Sequence, residues 1–248
     1  MNKQTRQQLA VAIVLIASAI SVGCSSDDET SSTTAATPEI TVVSTAGAEL
    51  FADDFIDDAN GWGVVDDQQF GTADFADGDY VWAFRGSIAH WLPAVLIDQY
   101  DAGTLDMLDV QVSAELTIVS GDGVVGVFCR ENPDTDADWQ WYDFVVRDGY
   151  AAIRLADGEG NIEPLVESRE LVVPLGAPFT IDASCQTNGA GGADLAMTVT
   201  TGTGTQTLLA TVDNDPLTNG APGLSAWTFP LHEQMDIVWH SFTVRATN

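Results

Sequence analysis

The chain has 248 residues, with 37 acidic side chains against 8 basic ones and a formal charge of -29. That balance excludes electrostatic binding of nucleic acid or anionic membrane, because neutralising phosphate requires Lys and Arg. Yet 45% of the residues are hydrophobic, enough to bury a core rather than persist as a disordered acidic polymer. The only lysine is Lys3, so beyond the first turns of sequence every cation is an arginine. Carboxylates without lysine suit a protein kept soluble in salty surroundings, and they equally suit a cation-binding surface.

In chain order, Lys3 and Arg6 precede the uncharged run LAVAIVLIASAISV, from Leu9 to Val22, which is followed by GCSSDD. A basic start, an apolar stretch of this length and a small residue before the cut predict a secretory signal over 1–23. The run is short for a bilayer span and ends abruptly at Asp27 and Asp28. Ser21-Val22-Gly23-Cys24 resembles a bacterial lipoprotein signal, with Ser21 in place of the usual leucine, and implies a lipid on Cys24. The expectation is an exported protein, anchored to the bacterial membrane by that lipid, with its domain on the extracellular or periplasmic side. Residues 24–49 are rich in Ser, Thr, Ala and acids; they have little to bury and read as a flexible tether.

From residue 50 to 248 the pattern has period two, broken by Gly, Asp and Asn turns, and predicts an all-β domain. Val110, Val112, Ala114, Leu116 and Ile118 share one strand face; Phe179, Ile181, Ala183 and Cys185 share another; Leu195, Met197 and Val199 a third. In the last strand the same reading puts Val238, His240, Phe242 and Val244 on the core side. Many short strands at near-regular spacing predict a two-sheet antiparallel sandwich.

Cys129 and Cys185 remain as an even pair in an exported chain. Each shares its strand face with apolar residues, so a buried disulfide is expected. The rival is a nucleophilic thiol, which needs an exposed position and a nearby base. Asp134, Asp136 and Asp138 open like a calcium loop, but Trp139 stands where Gly is needed and Val145 where the bidentate Glu belongs. The readings are a Ca2+ site and a solvated acidic turn. Asp53, Asp54, Asp57 and Asp58 form a second acidic cluster.

The string FADDFIDDANGW opens the domain, GVFCR and WYDFVVRDGYAAIRL occupy its middle, and FTIDASCQTNG, APGLSAW and VWHSFTV close it. This succession resembles the concanavalin A-like lectin/glucanase jelly roll of bacterial secreted proteins, over roughly Phe51 to Val244. The resemblance implies a jelly-roll sandwich whose concave sheet faces carbohydrate, with calcium often held at loop ends. Glucanases of that family carry E-x-D-x-x-E on one strand, and the related alginate-type lyases Y-x-K-x-G-x-Y; neither string occurs here, nor HExxH or GxSxG.

On the strand after the acidic loop, Trp139, Trp141, Asp143 and Val145 alternate with Tyr142, Phe144 and Val146. With the second set in the core, the tryptophans share the face opposite the cysteines. Strand adjacency implied by the resemblance then gathers Trp139, Trp141, Asp143, Arg130, Asp182 and Gln186 into one ligand-binding surface. Aromatic rings stack on apolar sugar faces, while carboxylate, guanidinium and amide groups bond the hydroxyls. The alternative is that Trp139 and Trp141 are covered by protein. The leading expectation is therefore a non-catalytic, surface-anchored glycan-binding sandwich. A glycan-active hydrolase or lyase on the same fold, and a structural or adhesion module without a small ligand, are the alternatives.

Overall fold

The computed structural model describes residues 46–67, 71–85, 89–93, 109–131, 140–157, 160–213, 217, 220–228 and 234–247. All of them fall within one compact unit, Val43–Asn248. The signal, Cys24 and most of the tether lie outside the described residues, as do Asp134, Asp136, Asp138 and Trp139. Among the described residues no helix is long and apolar enough to cross a membrane.

Among the described residues, fifteen strands make two antiparallel sheets. The nine-stranded sheet contains β1 (Glu49–Asp53), β2 (Val65–Asp67), β3 (Gly71–Ala76), β4 (Asp79–Phe84), β6 (Val110–Gly121), β11 (Phe179–Thr187), β12 (Ala193–Thr201), β13 (Gly204–Val212) and β15 (Met235–Ala246). Its order is β13-β12-β11-β6-β15-β4-β3-β2, with β1 also paired to β15. The six-stranded sheet runs β10 (Ile162–Ser168), β9 (Tyr150–Asp157), β8 (Gln140–Arg147), β7 (Gly123–Glu131), β14 (Ala221–Thr228), β5 (Ala89–Pro93). The expected all-β, two-sheet antiparallel sandwich is the observed architecture.

Alternation builds the core where it was legible. Val110, Val112, Ala114, Leu116 and Ile118 of β6 are buried, as are Phe179, Ile181, Ala183 and Cys185 of β11 and Leu195, Met197 and Val199 of β12. They meet Val125, Val127, Cys129, Tyr142, Phe144, Val146 and Ile153 from the inner face of the six-stranded sheet. Turn chemistry sets the register of the hairpins. Asp77 and Gly78, both at positive φ, close β3 onto β4 as a two-residue turn.

Cys129 on β7 and Cys185 on β11 form the expected disulfide, and both are fully buried. Because β7 and β11 belong to different sheets, the bridge crosses the core and pins one layer to the other.

The last strand departs from its predicted facing. Ile237 and Trp239 are buried, then Phe242 and Val244, while His240 is half-buried on the outer side. The pairing of β15 with β6 slips between Trp239 and Ser241. This β-bulge adds one residue, so the inward face shifts by one position beyond it. A single period-two reading of the strand therefore assigns His240 to the wrong side.

Candidate functional site

At the centre of the six-stranded sheet, β7, β8 and β14 are buried on both faces. The inner face belongs to the core shared with the other sheet. A second apolar cluster, Val124, Phe128, Trp141, Val145, Ala152, Ala156 and Trp227, covers the outer face, with Tyr150 and Ile162 packed at its border. Period two within each strand dictates this membership: Trp141, Asp143 and Val145 of β8 stand opposite Tyr142, Phe144 and Val146.

Asp143, fully buried, lies in the middle of this outer face. Its register partners are Phe128 on β7 and Arg154 on β9. Arg154 donates to Asp143 Oδ2 from Nε at 3.0 Å and from Nη2 at 2.7 Å. Ser225 Oγ donates to Oδ1 at 2.6 Å, and Trp227 Nε1 donates to Oδ2 at 3.2 Å. Both donors come from β14, on the far side of β7. Gly126 makes that reach available: it pairs with both Ser225 and Val145 and puts no side chain between them. A Cβ at Gly126 would collide with the Phe144 carbonyl oxygen, so glycine also sets the close approach of β7 to β8.

The aromatic groups knit this polar centre into the face. The Trp141 and Trp227 rings stack with centroids 6.3 Å apart and planes 24° apart. Phe128 sits 6.5 Å from Trp141, and the Arg154 guanidinium lies 5.1 Å from the Trp227 ring centroid. Beyond Arg154 along β9, Tyr150 has the Arg147 and Arg169 guanidinium carbons 5.7 and 5.8 Å from its ring centroid. Partial burial raises the Tyr150 hydroxyl above its ordinary pKa, against the opposing pull of Arg154. At the Trp141 end, a cleft of about 140 Å³ opens between Gln140, Asp157, Asn161 and Ile162.

Of the six residues expected on the ligand surface, Trp141 and Asp143 share one face of β8, but both are buried, so Trp141 is covered by protein rather than open as a platform. Trp139 lies outside the described residues. The shared surface expected with Asp182 and Gln186 does not form. Their strand, β11, belongs to the nine-stranded sheet, and both side chains stand on the side of β11 away from its buried cysteine. The disulfide joins the inner faces of two sheets, so the faces opposite its cysteines point out on opposite sides of the sandwich. Arg130 also leaves the surface. Its positive φ of 56° breaks the alternation of β7. The buried guanidinium donates instead to the Leu217 carbonyl and to Thr187 Oγ1, each at 3.0 Å, and pairs with Asp109 at 3.4 Å.

Of the acidic clusters, Asp53 accepts from the Phe55 amide at 2.7 Å and from Trp62 Nε1 at 2.6 Å, which is a structural use. Among the described residues no group of three or more His, Cys, Asp or Glu is placed to hold a metal ion. His240, in the β15 bulge, bridges Asp79 at 2.7 Å and Thr117 at 2.9 Å on the outer side of the nine-stranded sheet.

Residue-level reading missed Arg154, Tyr150, Ser225 and Trp227. The signal for the first two was present: Tyr150, Ala152, Arg154 and Ala156 alternate with core residues, and an arginine amid small apolar neighbours is conspicuous in a chain with so few cations. Ser225 and Trp227 show the same spacing in GLSAWT.

No protein-family model matches the chain, and neither does any curated protein. Solved structures do. The carbohydrate-binding module CBM66 from Bacillus subtilis superposes with a TM-score of 0.50 at 12% identity, covering 75% of this chain and 96% of that one. A protein of unknown function with a galectin-like fold, also from Bacillus subtilis, gives 0.56 at 12% identity over 82% and 97%. An endo-β-1,4-glucuronan lyase from the fungus Trichoderma reesei gives 0.50 at 12% identity over 81% and 96%. At such identities the likeness is one of fold, and the fold is a galectin-like jelly-roll β-sandwich.

Proposed function

We propose that this chain is a non-catalytic glycan-binding module, held at the cell surface by a lipid on Cys24, and that it takes its ligand on the outer face of the six-stranded sheet. The observation that carries this reading is the border of the outer face, where half-buried Tyr150 stands with Arg147 and Arg169 against its ring, braced from beneath by Trp141 and the buried Asp143–Arg154–Ser225–Trp227 cluster. Aromatic rings beside fixed, hydrogen-bonded polar groups are the chemistry that recognises a sugar's apolar face and its hydroxyls together. The fold supports it as well, since one structural neighbour is named as a carbohydrate-binding module and another as a glucuronan lyase.

The glycan-active enzyme is the second reading, and the lyase neighbour is what favours it. Among the described residues, however, the centre of the face holds one carboxylate, Asp143, whose oxygens are committed to Arg154, Ser225 and Trp227. A glycoside hydrolase of the usual kind needs two carboxyl groups facing the scissile bond. The test is a glycan array probed with the full chain and with Tyr150→Ala, followed by incubation of each bound glycan with the protein. Saturable binding that Tyr150→Ala weakens, without product release, supports the module. Release of saccharide or of unsaturated product shifts the assignment to the enzyme.

A further inference from the structure

The chain has six arginines beyond residue 23 and no lysine there, yet three of them, Arg147, Arg154 and Arg169, act electrostatically on one side chain, Tyr150. Half of the available positive charge is thus gathered at one border of the candidate glycan face. Their environments differ. Arg154 is buried and bound to Asp143. Arg147 and Arg169 are 41% and 71% exposed and stand against the Tyr150 ring.

The carboxylates that face these two arginines are Asp122, 61% exposed and 3.2 Å from Arg147, and Glu167, 42% exposed and 3.2 Å from Arg169. Exposed single-contact pairs of this kind contribute little, from nothing to about 1 kcal/mol. Either guanidinium can exchange its partner for another anion at small cost. Each guanidinium meanwhile rests against the tyrosine ring, the two carbons 5.7 and 5.8 Å from the ring centroid, which restricts the side chain and reduces the entropy lost when an anion is bound. Planar, always-charged forks match the oxygens of a carboxylate or sulfate in pairs.

We propose that Arg147 and Arg169, positioned by Tyr150, form an anion subsite at the edge of the face, and that the glycan is a polysaccharide bearing carboxylate or sulfate groups. This rests on the glycan-binding reading above and gives it a ligand class. The protein's overall negative charge opposes an anionic polymer at long range. At physiological salt the screening length is about 8 Å, so distant acids are largely silenced while contact pairs persist. The acids paired with the two guanidiniums, Asp122 and Glu167, are those the ligand displaces, while Asp148 and Glu170 adjoin the arginines in sequence.

The experiment is calorimetric titration of the full chain, in about 0.15 M salt, with three oligosaccharide probes: an oligouronate, a sulfated galactan fragment and a neutral β-glucan fragment. Wild type is compared with the Arg147→Gln/Arg169→Gln double variant and with Arg245→Gln, a distant exposed arginine. The expected result is tighter binding of the oligouronate or the sulfated probe than of the neutral one, at least tenfold weaker in the double variant and unchanged in Arg245→Gln. Which anionic probe binds identifies the group recognised. Equal or better binding of the neutral probe overturns the anion subsite and leaves the glycan reading standing, as does full retention of anionic binding by the double variant. Absence of binding to all three, with no hit on the wider array, overturns both. Thermal unfolding of the variants checks that any loss is not loss of fold.

Discussion

Asp143 receives four hydrogen bonds from three side chains at a point with no exposure to water. A buried ion pair of this kind returns little net stability when intact, yet removal of one member strands an uncompensated charge. Arg154→Leu is therefore expected to destabilise the fold by about 3–5 kcal/mol, read from the urea midpoint. Asp143→Leu combined with Arg154→Met, which removes both charges, is expected to cost far less. A cost for the pair equal to that of the single change would show that the charge is not what holds this face. At the rim, Asp236 makes a gentler case. Partial burial works to raise its pKa, but hydrogen bonds from Arg85 at 2.8 Å and Ser120 at 2.8 Å outweigh it, and the pKa lies below the ordinary 3.8. A depressed carboxylate contributes stability that is present above the ordinary value and disappears as the pH falls through the folded-state one. Arg85→Gln should thus cost under about 1 kcal/mol at neutral pH, the pair being partly exposed, and the difference from wild type should vanish in strong acid. Denaturant melts across that range check it.

Strands reveal their faces in sequence only when one side meets water and no residue is inserted. The strands β6, β11 and β12 meet both conditions, and Val112, Ile181 and Met197 were each legible as core. By contrast β7, β8 and β14 are covered on both sides, so GVVGVFCRE and APGLSAWT show no contrast to read. In β15 the outer side is partly open but a residue is inserted: the bulge leaves His240 on that outer side, between Asp79 and Thr117, where strict alternation with Phe242 and Val244 assigns it to the core. His240→Ala should cost about 1 kcal/mol, the scale of the hydrogen bonds removed, and leave the core strands protected in hydrogen exchange. A cost above roughly 3 kcal/mol would instead mark it as a packed core residue. The candidate site was half legible for a related reason. Trp141 and Asp143 share a strand, and local spacing fixes their common face. Asp182 and Gln186 were assigned by strand adjacency, which depends on long-range pairing that no local pattern encodes. Arg130 was lost to a single left-handed backbone angle.

For the molecule as a whole, the disulfide and the division of faces belong together. The Cys129–Cys185 bridge closes a loop of 56 residues between the two sheets. On the chain-entropy account it should stabilise the fold by about 4 kcal/mol, so Cys129→Ala/Cys185→Ala is expected to lower the urea midpoint by that equivalent without abolishing ligand binding, since neither sulfur reaches the outer face. The same bridge fixes which surfaces are available: one outer face is the aromatic and ion-paired side of the six-stranded sheet, the other the Thr- and acid-rich side of the nine-stranded sheet. Ligand is expected to meet the first of these. Glycan affinity of the full chain, set against two single variants on opposite faces, Tyr150→Ala and Asp182→Asn, decides between them. Affinity should fall at least tenfold in Tyr150→Ala and stay at the wild-type value in Asp182→Asn. Loss confined to Asp182→Asn, or undiminished binding by Tyr150→Ala, would contradict that expectation.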